Sequence, residues 1–110
     1  SLLEDNYMNN MSGLLQQAQQ MQRKMMEVDK KLNEMEVTGS VSGGLVTITM
    51  TGKGDVKGVK IDTSLKEDTE VLEDLILAAF SEAKKNADQL SETEMKSVSG
   101  GMPMPPGIKF

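Results

Sequence analysis

The 110-residue chain contains no cysteine, histidine or tryptophan, and it has only one tyrosine and two phenylalanines. Without cysteine there is no disulfide and no thiolate metal site. Without histidine the commonest general base and the commonest metal ligand are both missing. Aromatic burial contributes little, so methionine and small aliphatic residues must fill any core. No apolar run approaches the length needed to cross a bilayer. No signal-peptide pattern is visible, and with the missing cysteine this points to a cytoplasmic location. Catalytic constellations are lacking as well. Asp62 and Asp68 flank a turn and read as caps. The Gly52-Lys53-Gly54 turn lacks the Ser or Thr and the following helix of a phosphate loop. The expectation is therefore no enzyme, no cofactor, no metal and no small-molecule substrate.

Ten methionines in so short a chain give soft, adaptable packing surfaces. The formal net charge is -5, and it is unevenly spread. Residues 37–61 hold Lys53, Lys57 and Lys60 against the single acid Asp55, whereas residues 62–98 hold ten acids and four lysines. An acidic chain is not the usual profile of a nucleic-acid binder.

Residues 1–10 show no clear periodicity. They are expected to be disordered, or a remnant of expression or processing. From about Ser12, a plausible N-cap, the pattern becomes helical. Met11, Leu14, Ala18, Met21, Met25, Val28, Leu32 and Met35 alternate at spacings of three and four, the a and d positions of a heptad. Such a narrow, unbroken stripe reads first as a seam shared with a second helix, the plainer alternative being a face on the chain's own core. Beside it, Gln16-Gln17, Arg23-Lys24 and Lys30-Lys31 recur seven residues apart. On spacing alone this is a solvated face, and a row of phosphate contacts is the functional alternative.

The middle of the chain predicts a three-stranded antiparallel meander. Val37, Gly39 and Val41 share one face, Val46, Ile48 and Met50 the next, and Val59 and Ile61 the last, with turns at Gly43-Gly44 and at residues 52–55. A second helix follows, capped by Asp68 or Thr69 and ending between Ser97 and Gly101. Its apolar stripe runs through Leu72, Ile76, Ala79, Phe80, Ala83, Ala87 and Leu90, widened by Leu75 and Leu77. The stripe thins beyond Ala87, where the helix is expected to project alone. The tail, residues 99–110, is rich in Pro, Gly and Met and is expected to be flexible. The fold class is α+β.

Several segments, in order, resemble the YbaB/EbfC family of nucleoid-associated proteins. They are Leu-Gln-Gln-Ala-Gln-Gln-Met-Gln at 15–22, Glu-Val-Thr-Gly at 36–39, Gly-Leu-Val at 44–46, and Val-Lys-Ile-Asp at 59–62 followed by Ser64 and Leu65. Leu-Glu-Asp-Leu-Ile at 72–76 precedes Ala78, Ala79 and Phe80. Ser-Val-Ser-Gly-Gly-Met at 97–102 and Pro-Pro-Gly at 105–107 complete the set. The resemblance implies one dimeric DNA-binding domain over residues 11–98. It implies an intertwined or sheet-joined homodimer with projecting helices, located at the nucleoid, whose partners are a second copy and duplex DNA. On that reading the DNA-binding residues are Arg23, Lys24, Lys30, Lys31, Lys84, Lys85 and Lys96; the dimer or helix seam, read from the apolar spacing itself, is Leu14, Ala18, Met21, Met25, Val28, Leu32 and Met35. A second function class stays open: a protein-interaction or chaperone-like dimer holding apolar segments in a Met-rich cleft. The tail offers no periodic apolar face, so deleting residues 102–110 is expected to leave the fold intact, with the helical circular dichroism signal retained. A large loss of helical signal would make the tail a structural element.

Overall fold

A computed structural model describes residues 1–100; of the expected tail, Ser99 still belongs to the second helix and Gly100 caps it, and the expectation for residues 101–110 lies outside the described residues. The elements in order are α1 (Leu2–Glu34), β1 (Glu36–Val41), β2 (Val46–Thr51), β3 (Val56–Ile61) and α2 (Thr69–Ser99), with short 3-10 turns at Ser42–Gly44 and Thr63–Leu65. The strands pair in the order β1-β2-β3, both ladders antiparallel.

The first helix starts ten residues before the expected cap. Residues 1–10, expected to be disordered, belong to it. Ser1 caps α1: its hydroxyl accepts from the Glu4 N–H at 3.3 Å, and the Glu4 carboxylate reaches back to the Ser1 amine, closing a capping box. Leu3 and Tyr7 continue the stripe upstream of Met11 at spacings of four. The helix is roughly 50 Å long at about 1.5 Å per residue, within a molecule 81 × 22 × 17 Å in extent.

One face of the sheet is the core. Val37, Gly39 and Val41 of β1 stand opposite Met50, Ile48 and Val46 of β2. The β2 residues are fully buried, beneath Ala79 and Ala83 of α2. This approach requires Gly39. A Cβ there would lie 2.2 Å from the Ala83 nitrogen and 2.3 Å from the Ala79 oxygen. Asn86 Nδ2 donates to the Thr38 carbonyl at 2.8 Å and fixes the helix along β1. Because α2 lies over β1 and β2, β3 is left uncovered: Val59 and Ile61, opposite buried Ile48 and Val46, remain 50% and 40% exposed. The first turn also differs in detail from a two-residue hairpin. Ser42, Gly43 and Gly44 all take positive φ, and Leu45 stays outside the strand.

Asp68 caps α2, its carboxylate accepting from the Val71 N–H at 3.2 Å, and Gly100 ends it in the left-handed region. Asp62 accepts from the Ser64 N–H at 2.9 Å. That backbone bond, with a further one from the Ser64 side chain, holds its carboxyl below the usual carboxylate range. The associated stabilisation is present above that range and is lost as pH falls through the lowered pKa.

The second half of α2 does not project alone. It pairs antiparallel with the second half of α1 in a separate small core of Val28, Leu32, Met95 and Val98, flanked by Met25 and Leu90. At its base Gly52 donates to the carbonyls of Leu32 at 2.9 Å and Met35 at 3.1 Å, which closes the end of α1 against β2. A Cβ at Gly52 would meet Leu32 Cδ2 at 2.8 Å.

Gly39→Ala is expected to destabilise the fold by about 2–3 kcal/mol or more, because helix and sheet must separate to admit the methyl group. Gly13→Ala lies in an exposed helix with open space around its Cβ position. It is expected to stabilise by roughly 0.5–1 kcal/mol. Denaturant unfolding reads both, and equal effects in the same direction would contradict the packing described.

Candidate nucleic-acid interface

Together α1 and α2 build a two-helix rod, and the candidate cations lie along it. Its inner surface is apolar, so the charged positions of each helix are turned outward. Arg23, Lys24, Lys30 and Lys31 are all exposed on α1, and Lys84, Lys85 and Lys96 on α2.

These seven residues do not form one patch. Lys31 donates to Glu94 at 2.9 Å across the helix pair, which brings the end of α2 alongside the second half of α1. Lys96, two residues beyond Glu94, therefore falls near the level of Lys30 and Lys31. Lys84 and Lys85 lie 11–12 residues earlier, roughly 16 Å down the helix towards the sheet. Lys84 is beside the β2–β3 turn at Gly54 and pairs with Asp88 at 2.5 Å. Lys96 has a longer contact with Glu92 at 3.8 Å. Arg23, Lys24 and Lys30 have no acid within salt-bridge distance among the described residues. Exposed pairs like these are worth little to stability, about 0–1 kcal/mol each, but each places a negative charge beside its lysine.

Lys53 is engaged by Asp29, joining the β2–β3 turn to α1. Thr51 is buried, and its hydroxyl accepts from the N–H groups of Lys53 and Asp55, both at 3.2 Å. Two further exposed cations, Lys57 and Lys60, lie on β3, with Lys60 opposite Thr47. The signal for them was the acid-poor stretch 37–61.

The seam residues divide into two groups. Val28 and Leu32 are buried by Met95 and Val98 of the same chain, and Met25 and Met35 are half-buried. Leu14 is 61% exposed and Met21 38%, and Ala18 is exposed as well. No cluster of three or more acids able to hold a metal ion occurs among the described residues, and no described helix is long and apolar enough to cross a membrane.

Comparison with known proteins agrees with this architecture. A nucleoid-associated protein of Gluconacetobacter diazotrophicus is 48% identical over 105 residues, covering 94% of this chain and 98% of that protein. One from Rhodospirillum rubrum is 44% identical over the same shares. One from Polynucleobacter necessarius is 48% identical over 91% of this chain and 94% of its own length. An uncharacterized protein of Helicobacter pylori shares the fold, with a TM-score of 0.71 at 23% identity over 82% of this chain and 94% of that one. The profile of the YbaB/EbfC DNA-binding family matches residues 8–102, and the chain belongs to that family.

Proposed function

We propose that the protein is a nucleoid-associated protein that acts as a homodimer and binds duplex DNA mainly through phosphate contacts from the two-helix rod, organising the chromosome or modulating gene expression. The observation that carries the reading is the run of Arg23, Lys24 and Lys30, exposed on a projecting rod and unpaired by any acid among the described residues. The relatives' description as nucleoid-associated supports it.

The homodimer is supported by β3. This edge strand keeps Val56, Val59 and Ile61 40–50% exposed on the face that is buried in β1 and β2. An open strand edge with an apolar face is a template for another chain. A second copy joining there would continue the sheet and send two rods outward.

Net charge opposes the approach to DNA at long range, since each copy carries -5. At contact it matters less. The Debye length is about 8 Å at physiological salt, so the acids at the start of α2 are screened from a phosphate held at Arg23. Binding is then short-ranged and backbone-dominated, with log K falling by about 0.9 for each phosphate neutralised and affinity in the micromolar range typical of non-specific contacts.

The test replaces Arg23, Lys24 and Lys30 together by Ala. Gel-shift titration on several unrelated duplexes is expected to show binding weakened by roughly tenfold or more on all of them alike, with a flatter salt slope. Parental affinity in the triple variant would place the DNA elsewhere. If the parent protein itself is not retained on duplex at low salt, the Met-rich face of α1 makes the protein-holding dimer the better reading.

A further inference from the structure

Between Asp5 and Arg23 the first helix carries no charged residue over 17 positions, in a chain that is 26% charged. At that overall content about four or five charges would be expected there. The same span is the part of α1 with no packing partner among the described residues. Tyr7 is 65% exposed, Met11 41%, Leu14 61% and Met21 38%, all on one face. A free helix in water draws little from intrinsic propensity and normally carries charged pairs along its surface. This one has an apolar stripe flanked by amides instead, as a helix has where another helix lies against it.

The charges that bound the span identify the occupant. Glu4 and Asp5 stand at one end, Arg23 and Lys24 at the other. The midpoint of Glu4 and Lys24 is position 14, and so is that of Asp5 and Arg23. An antiparallel copy of the same helix, crossing at Leu14, sets the acidic turn of each level with the basic turn of the other. Tyr7 of each then comes level with Met21 of its mate, where sulfur and ring make favourable contact. Parallel alignment would set acids beside acids. Duplex DNA is a poor occupant, because an uncharged span neutralises no phosphate.

We infer that residues 2–22 of α1 form a tip that pairs antiparallel with the tip of a second copy, centred on Leu14. This contact is distinct from the sheet edge. It rests on the proposed sheet-joined dimer only for the size of the final assembly: with both contacts present, dimers link through their tips, and because the paired turns engage Arg23 and Lys24, tip pairing and duplex DNA compete for these two cations.

Two measurements on the full chain test it. The chain has no cysteine, so Leu14→Cys at the crossing point is expected to form a disulfide-linked pair on non-reducing electrophoresis. Leu3→Cys, roughly 16 Å along the helix, should not, because its counterpart lies at the far end of the mate. Linkage of both variants, of Leu3→Cys alone, or of neither overturns the inference. In sedimentation, Leu14→Asp should halve the mass of the parent assembly with no loss of helix, since the side chain is exposed within the single chain. Parent mass in that variant overturns it, and assigns the face to DNA if duplex binding weakens at the same time. If Leu14→Asp is a monomer, tip pairing stands and the sheet-joined dimer is what fails.

Discussion

The close approach of α2 to β1 at Gly39 sets the rest of the molecule. With no Cβ at that position, the backbone of Ala79 and Ala83 rests directly on the strand, and three fully buried β2 side chains fill the space beside it. The alanine spacing and the Asn86 bond to Thr38 fix the direction in which α2 leaves the sheet. That direction brings Leu90, Met95 and Val98 against Val28 and Leu32, while Gly52 holds the end of α1 in place. The rod is thus a consequence of two glycines and a row of alanines. Helix positions that must touch a sheet backbone need small residues, and the distal ones, which meet another helix, can be large.

The same geometry reconciles an acidic chain with a DNA-binding family. Acids cluster in the first turns of α2, where they face the positive end of the helix dipole and sit near the sheet. Arg23, Lys24 and Lys30, which have no acidic partner among the described residues, lie on the rod away from those turns. With a screening length of about 8 Å the two regions act nearly independently. The ion pairs Lys31–Glu94 and Lys84–Asp88 offset part of the positive charge of the rod.

Much of the fold was legible in the sequence because it is written in periodicity. The alternation in β1 and β2, the Asp68 cap and the two helices came directly from spacing. What was hidden depends on partners remote in sequence. The heptad stripe cannot say which helix covers it, and the structure divides it: Val28 and Leu32 face α2 of the same chain, while Leu14 and Met21 face solvent. The α2 stripe looked thin after Ala87 only because Met95 and Val98 resume it after a gap. The start of α1 is hard to read because Tyr7 sits among polar residues and the Ser1–Glu4 capping box lies well upstream of the regular stripe. In the candidate site, the residue types were readable, but whether a lysine is free or held by an acid across the rod was not.

The central claim is that the outer rod, rather than the sheet or the tip, meets the phosphate backbone. An amide-resolved NMR titration of the protein with a short duplex at low salt tests this most directly. The account predicts shifts concentrated at residues 23–31 of α1 and around Lys96, weaker ones near Lys84 and Lys85, and little change over residues 6–22 or on β3. Shifts centred on Lys57 and Lys60, or no shifts at all, would contradict it.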